Sequence, residues 1–346
     1  MNIPIQNIYY LLCYSWNKLE ESRIVNVAGE DSTKILDLFA KVLIGGTNYV
    51  LKKGLDRNYR EIEEESNRIS GRILMDEMIK RNLLKSGVIR RRFDELSYNI
   101  LHNKIIKGTF LKIIRLREID AALREEAIRI FKRFPYVGSL DIKKKDFSEL
   151  RLNRNNYFYD FLIKICEIIN DSILISEKTG EYKFRDFLRD DKRMAQLFEQ
   201  FVRNFYKKEQ AFYDVSREKI HWYMDKAGKD DDFLPAMETD ICLTAKDYSR
   251  KLIIETKYYS GGFKAQTWPG SREKLISENL YQLFAYLKNL ESRKGINEKC
   301  EGLLLYAAVD EEADLCFNLS GHLVRVKTLN LNQDWRKIHS SMLGII

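Results

Sequence analysis

Two short segments decide the fold of the C-terminal half: METDICL (Met237–Leu243) and, after a polar turn, LIIETKY (Leu252–Tyr258). The second segment places three aliphatic residues directly before Glu255, which is typical of a central strand that is buried on both faces. Because side chains alternate along a strand, Glu255 and Lys257 point to one face and Thr256 points to the other. Ionisable groups there are costly unless they are paired or bind a metal. The two segments therefore predict neighbouring strands that carry a polar site.

The chemistry expected at this site follows from its two acids, Asp240 and Glu255. Carboxylates on adjacent strands suit a hard divalent cation such as Mg²⁺, which takes oxygen ligands and keeps several waters. Such an ion polarises a phosphodiester and acidifies a bound water. Lys257 can orient or deprotonate that water, or stabilise charge that develops on the phosphate. The competing interpretation is a solvated strand face, because a Glu-x-Lys pattern is common in a chain with 32% charged residues.

Two flanking helices supply further candidates. Glu199 lies beside an apolar stripe on a predicted helix over Asp190–Lys207, where it can act as a third oxygen ligand or be an ordinary surface glutamate. Gln282 and Tyr286 are four residues apart on a predicted helix after the strands. That spacing puts both on one helix face. They either face the site, touching DNA or Lys257, or belong to an amphipathic helix with a boundary tyrosine.

The order of the elements predicts two domains. An α+β N-terminal domain, residues 1–175, contains helices and alternating charged strands near Tyr59–Glu65 and Val88–Tyr98. Residues 176–346 read as helix, strands, helix, strand, strand, which predicts an α/β domain whose central mixed sheet is flanked by helices. A strand is also expected at His221–Met224.

Composition excludes several classes of protein. The net charge of +8 on 346 residues permits a polyanionic partner without demanding one. No run approaches the ~18 apolar residues of a membrane span, and no signal peptide is recognisable, so we expect a cytoplasmic protein without a membrane partner. The five cysteines are dispersed, which argues against a disulfide framework or a zinc site. The P-loop pattern GxxxxGK[ST] is absent, so no nucleotide site of that kind is expected in this chain.

The order of these candidates resembles the PD-(D/E)xK nuclease superfamily, although Thr239 stands where the motif name has proline. The resemblance implies that Asp240 and Glu255 are metal ligands for Mg²⁺ and that Lys257 is the catalytic lysine. It further implies that the Thr256 carbonyl is an additional ligand and that Glu199 is the acid carried by the helix. Gln282 and Tyr286 resemble the QxxxY element of the RecB-like branch.

A more specific resemblance covers nearly the whole chain. The segments IPIQNIYYLLCYSW (Ile3–Trp16), LFE (Leu197–Glu199), LPAMETD (Leu234–Asp240) and KYY (Lys257–Tyr259) are similar, in order, to the McrC family of 5-methylcytosine-specific restriction subunits. Membership implies an endonuclease that cleaves double-stranded DNA containing methylated cytosine. It also implies a partner, a McrB-like AAA+ hexamer that binds and hydrolyses GTP and is stimulated by McrC. A McrC–McrC contact that joins two complexes is part of the same expectation.

Three functions remain open from sequence. The first is the Mg²⁺-dependent nuclease of a restriction complex. The second is a non-catalytic adaptor of an AAA+ motor whose nuclease-like domain only binds DNA. The third is a stand-alone RecB-like nuclease, which leaves the long N-terminal domain unexplained. The charged strands around Arg57–Glu65 and Arg90–Arg92 are either arms that contact the motor ring or solvated hairpin faces.

Overall fold

The computed structural model describes residues 3–22, 34–81, 83–134, 136–152, 156–175, 182–184, 188, 190–224, 230–259, 264–265, 274–309 and 312–346. The helices are α1 (Ile5–Ser15), α2 (Leu19–Ser22), α3 (Ile35–Lys53), α4 (Met75–Lys80), α5 (Leu101–Arg115), α6 (Ala121–Lys132), α7 (Lys144–Glu149), α8 (Tyr157–Ser172), α9 (Asp191–Glu209), α10 (Ser277–Glu291) and α11 (Trp335–Ile345). The strands are β1 (Asn58–Ser66), β2 (Arg72–Ile73), β3 (Ile89–Ser97), β4 (Ile173–Ile175), β5 (Tyr182–Phe184), β6 (Tyr213–Ser216), β7 (Lys219–Ile220), β8 (Met237–Glu238), β9 (Ile241–Ala245), β10 (Lys251–Tyr258), β11 (Lys264–Ala265), β12 (Lys274–Leu275), β13 (Glu301–Ala308), β14 (Asp314–Leu319) and β15 (His322–Asn330).

The chain divides into two compact units, one formed by Lys34–Arg185 and the other by Met1–Thr33 together with Asp186–Ile346. This division differs from the predicted boundary at residue 175, because the first helix belongs with the C-terminal elements. Helix α1 packs along α9, where the ring of Tyr14 lies 5.3 Å from that of Phe205. Such a contact between distant segments leaves no local sequence signal.

The Lys34–Arg185 unit combines helices with a small antiparallel sheet. Its sheet has the order β1-β3-β2, and Arg92 and Arg91 of β3 stand opposite Glu63 and Glu64 of β1. Arg92 Nη2 lies 2.6 Å from Glu63 Oε1, and Arg91 Nη2 lies 2.5 Å from Glu64 Oε1. The alternating charges of the sequence therefore form ion pairs across the two strands.

The second unit is built on a six-stranded mixed sheet with the order β14-β15-β13-β10-β9-β6. Strand β10 runs parallel to β13, β13 runs parallel to β15, and the other three pairs are antiparallel. All residues of β10 except Lys257 are buried, which confirms the prediction of a central strand from its aliphatic run. The predicted mixed sheet is likewise confirmed.

Helices cover both faces of this sheet. On one face, Leu283 and Leu287 of α10 pack in a common apolar cluster with Ile253 and Leu304 of the sheet. On the other face lie α9 and α11, which are joined by a hydrogen bond from the Tyr206 hydroxyl to the Met342 carbonyl at 2.9 Å. Alternation along β10 then places Glu255 and Lys257 on the α10 side.

Two further expectations can be compared with the described residues. The predicted strand at His221–Met224 is wrong, because these residues have no regular secondary structure and the pairing strand ends at Ile220. Strand β14 was not anticipated. Within the described part of the chain, no helix combines the length and apolar composition needed to cross a membrane.

Candidate active site

Asp240 lies in the bend that leads into β9, and the pairing of β9 with β10 brings it next to Thr256. Ile241 stands opposite Ile254 in the antiparallel register, so the residue before it meets the next part of β10. The backbone N–H and the hydroxyl of Thr256 both donate to Asp240 Oδ2, each at 2.8 Å. Two donors to one oxygen fix the orientation of the carboxylate.

Glu255 is fully buried, with 0% of its surface exposed. Its Oε1 atom accepts a hydrogen bond from the backbone N–H of Asp240 at 3.0 Å. Its Oε2 atom is buried and accepts no hydrogen bond from any described residue. Burial, and next the nearby charge of Asp240, raise the pKa of this carboxyl to about 8, while the charge of Lys257 opposes the shift. Glu255 Oε2 therefore has a lone pair that is available to a cation or a proton.

Lys257 lies between Glu255 and α10. Its Nζ atom is 3.6 Å from Glu255 Oε2 and donates to Gln282 Oε1 at 2.8 Å. Gln282 Nε2 in turn donates to the hydroxyl of Tyr286 at 2.9 Å. The structure thus places Gln282 and Tyr286 on the helix face that meets the strand, and links both to the lysine in one chain of hydrogen bonds.

Comparison with known proteins identifies the family of this chain. The model of the family described as McrBC 5-methylcytosine restriction system component matches residues 6–307. The chain belongs to this family. It is 32% identical over 344 residues to the type IV methyl-directed restriction enzyme EcoKMcrBC of Escherichia coli (strain K12), a match that covers 99% of this chain and 97% of that protein.

A solved structure shares the fold. The refined half-complex from a tetradecameric assembly of Thermococcus gammatolerans McrB AAA+ hexamers with bound McrC contains a chain that matches 99% of this one, with a TM-score of 0.64. The match covers 76% of that chain at 13% sequence identity. Because the sequence identity is low, this match shows only that the two chains share a fold.

Glu199, on α9, forms ion pairs with two arginines. Arg203 Nη1 donates to Glu199 Oε1 at 2.7 Å, and Arg217 Nη2 lies 3.9 Å from the same oxygen. Among the residues that the structure describes, no group of three His, Cys, Asp or Glu side chains is arranged to hold a metal ion. The structure therefore brings Asp240 and Glu255 together, and it does not bring Glu199 into one cluster with them.

The donor set at Asp240 and Glu255 nevertheless fits a divalent cation. Glu255 Oε2 is a buried oxygen without a hydrogen bond, and Asp240 is held in place by two donors. Magnesium in proteins is commonly bound by one or two carboxylates, with water and substrate phosphate completing its coordination. Two carboxylates are therefore sufficient for a site that is completed by substrate.

Two features of the candidate site could not be predicted from the sequence. The hydroxyl of Thr256 contacts Asp240, whereas only its carbonyl was anticipated. Arg217, whose side chain is 43% exposed, lies 3.4 Å from Glu238 Oε2, and its Nε atom donates to the Thr239 carbonyl at 3.4 Å. The exposed arginine beside the Asp240 bend is a cation that a phosphate can approach. Arg217 follows the short strand β6, and its neighbours in sequence give no sign that it contacts Glu238 and Thr239.

Proposed function

We propose that this chain is the endonuclease subunit of a GTP-dependent, modification-specific restriction complex that cleaves DNA phosphodiesters with Mg²⁺ at Asp240, Glu255 and Lys257. The observation that carries the proposal is the meeting of two carboxylates and one lysine where the bend before β9 lies against β10, in a chain of the McrBC family. This set and its order are those of the PD-(D/E)xK nucleases, to which we assign the Asp186–Ile346 part of the chain.

The two acids would hold the cation. Asp240 and Glu255 supply oxygen ligands, the Thr256 carbonyl is a further candidate ligand, and Glu199 is the helix-borne acid that would have to leave Arg203 to take part. When bound, a divalent cation polarises the phosphodiester and acidifies a water. Thr256 keeps Asp240 oriented through its two hydrogen bonds. Burial of Glu255 makes an ionised carboxylate costly without a nearby cation, and this favours cation binding.

Lys257 would act on the reacting phosphate. Its ammonium group neutralises charge that develops on the phosphate oxygens, or orients the attacking water. Gln282 Oε1 accepts a hydrogen bond from one of the three N–H groups of Lys257. This bond restricts the direction of the ammonium group. Tyr286 holds Gln282 in turn. These two residues position the lysine, and both are candidates for contact with DNA.

The partner would be a McrB-like AAA+ GTPase hexamer, whose GTPase this chain would stimulate. Three findings support this: the family description, the restriction enzyme from E. coli, and the McrB hexamers with bound McrC in the structural match. The absence of a P-loop pattern from the sequence agrees with GTP binding by the partner. We assign contact with the motor to the Lys34–Arg185 unit. The proposed substrate is double-stranded DNA that contains methylated cytosine. The proposed location of the complex is the cytoplasm.

The test separates cleavage from motor activity. The complex is reconstituted with the full chain carrying Asp240→Asn or Asp247→Asn, a control change at an exposed aspartate in the turn after β9. Cleavage of methylated plasmid with GTP and Mg²⁺ should be lost in Asp240→Asn and kept in Asp247→Asn. GTP hydrolysis should be stimulated equally by both. Undiminished cutting by Asp240→Asn contradicts the assignment of the site.

A second candidate function is a non-catalytic adaptor of the motor with a nuclease-like DNA-binding domain. The observation that favours it is the pairing of Glu199 with Arg203, which leaves two acids together where three were expected. The adaptor predicts that the complete wild-type complex stimulates GTP hydrolysis and binds DNA without any Mg²⁺-dependent cleavage. The same reconstitution therefore separates the two functions.

A further inference from the structure

Arg217 stands next to the candidate active site, although it lies outside the motif that predicted this site. It follows β6 directly, and its Nε atom donates to the Thr239 carbonyl at 3.4 Å. Thr239 precedes Asp240, so the guanidinium group lies beside the bend that carries the first acid. Its Nη2 atom is 3.4 Å from Glu238 Oε2 and 3.9 Å from Glu199 Oε1. Three acceptors of the folded chain therefore keep this cation beside the site.

The contacts of the Arg217 guanidinium group are long for a charged donor. Hydrogen bonds from such a donor to a carboxylate are typically about 2.7–2.9 Å. Two other arginines reach this range, because Arg203 donates to Glu199 at 2.7 Å and Arg293 donates to Glu218 at 2.8 Å. Among the residues that the structure describes, the guanidinium group of Arg217 has no partner nearer than 3.4 Å, and its Nη1 atom has none. Arg217 therefore keeps N–H groups for a further acceptor.

The side chain of Arg217 is also accessible, and its acidic neighbours do not depend on it. It is 43% exposed, whereas the side chain of Arg203 is 17% exposed. Glu199 is already paired with Arg203, and Glu238 stands opposite Lys219 in the pairing of β7 with β8. Opposite charges that face each other across two strands attract. Arg217 can therefore turn to an incoming anion while both carboxylates keep a positive neighbour.

We propose that Arg217 binds a backbone phosphate of the DNA, next to the phosphodiester that is cleaved at Asp240 and Glu255. This inference rests on the proposed nuclease function and adds a substrate contact that the Asp-Glu-Lys motif does not include. A guanidinium group presents paired N–H donors that match two phosphate oxygens, whereas an ammonium group acts as a point charge. The bond to the Thr239 carbonyl links the bound phosphate to the bend that holds Asp240. The contact therefore fixes the strand relative to the two acids.

A phosphate contact has a signature that a structural ion pair lacks. It carries no sequence information, so it should contribute equally to methylated and unmethylated DNA. Each phosphate that a cationic side chain neutralises releases counterions, and this adds about 0.9 to the magnitude of the slope of log affinity against log salt concentration for duplex DNA. An arginine that only holds Glu199 and Glu238 would leave this slope unchanged. The salt dependence of DNA binding thus separates the two roles.

Binding of a short DNA duplex to the full chain is measured by fluorescence anisotropy at several salt concentrations, with a chelator present so that no cleavage occurs. Arg217→Gln should weaken binding about tenfold at low salt and lower the magnitude of the slope by about 0.9, for methylated and unmethylated duplexes alike. Arg217→Lys should keep the slope, because the charge remains, and bind several-fold less tightly than the wild type, because the fork is lost. The control is Arg336→Gln, at an exposed arginine on α11, which should bind like the wild type.

Thermal melting of each variant establishes that the fold is kept. A wild-type slope in the folded Arg217→Gln chain overturns the proposal, and so does a wild-type chain that binds no duplex at low salt. If Arg217→Gln does not fold, Arg217→Lys decides the question, and wild-type affinity in that variant overturns the proposal. The nuclease assignment is tested separately, because it fails if Asp240→Asn cuts plasmid, whatever the binding constants of the Arg217 variants are.

Discussion

The backbone N–H and the hydroxyl of Thr256 donate to the same oxygen of Asp240, both at 2.8 Å. Thr256 is buried and belongs to the central strand, whereas Asp240 stands in a bend outside any strand. The two hydrogen bonds from Thr256 therefore fix the orientation of the Asp240 carboxylate relative to β10. This arrangement explains how a residue that points away from Lys257 takes part in the site.

Replacing Thr256 by valine should lower cleavage by the reconstituted complex. Valine keeps the shape and the backbone hydrogen bond and loses only the hydroxyl bond to Asp240. A hydrogen bond to a charged group contributes about 1.5–3 kcal/mol, which corresponds to a drop of roughly ten- to a hundredfold in rate. Thr256→Ser is the control and should stay within a few-fold of the wild type, because it keeps the hydroxyl. Equal rates for the valine and wild-type chains would show that the hydroxyl does not orient Asp240.

Replacing Glu255 by glutamine should stabilise the metal-free protein increasingly as the pH rises. The pKa of this buried carboxyl is raised from 4.5 to about 8, mainly by burial. Its folded form therefore holds the proton more tightly than its unfolded form. The resulting stabilisation of the wild type is complete below pH 4.5 and is lost as the pH rises to about 8. Glutamine does not titrate, so the difference in free energy of unfolding should grow over this range.

Chemical denaturation in the presence of a chelator measures this difference. The control is Glu298→Gln, which changes an exposed glutamate in the same unit and should show no such trend. A difference between wild type and Glu255→Gln that stays constant from acid to alkaline pH would contradict the raised pKa.

Replacing Gln282 by leucine should impair cleavage without weakening the binding of Mg²⁺. The change removes the acceptor that lies 2.8 Å from Lys257 Nζ, and it leaves both carboxylates in place. We expect a loss of about tenfold in cleavage rate, because the lysine is still present but less well positioned. Tyr281→Phe, at the exposed neighbouring position, serves as the control. Calorimetric titration with Mg²⁺ should give equal affinities for the three chains, and a parallel fall in affinity would assign Gln282 to the metal site instead.

Glu199 and Glu255 should differ in their effect on Mg²⁺ affinity. Glu199 is paired with Arg203 at 2.7 Å, so much of its charge is neutralised, whereas Glu255 Oε2 has no hydrogen bond. We expect Glu255→Gln to weaken Mg²⁺ binding by more than about tenfold and Glu199→Gln by less, where tenfold corresponds to about 1.4 kcal/mol. The reverse order would make Glu199 the principal ligand.

Short sequence patterns predicted those parts of the fold that are determined by residues close together in the chain. The aliphatic run before Glu255 identified a buried strand, and the spacing of Gln282 and Tyr286 placed both on one helix face. The pairing of α1 with α9 could not be predicted, because it joins segments almost two hundred residues apart. The contact of Arg217 with Glu199 was also hidden, since it forms only in the folded chain.

Strand β14 escaped prediction for a different reason. Five of its six residues are exposed, so it lacks the buried aliphatic run that identified β10. Its place is set by pairing with β15 and by the turn at Ser320 and Gly321.

Cleavage of methylated plasmid by the complete complex, measured as Mg²⁺ is titrated, tests the central claim most directly. The chains compared are the wild type, Lys257→Ala, and Lys246→Ala, the last changing an exposed lysine outside the site. The account predicts Mg²⁺-dependent cutting by the wild type and Lys246→Ala, and none by Lys257→Ala at any Mg²⁺ concentration, with GTP hydrolysis unchanged in all three. Cutting by Lys257→Ala at the wild-type rate would contradict it.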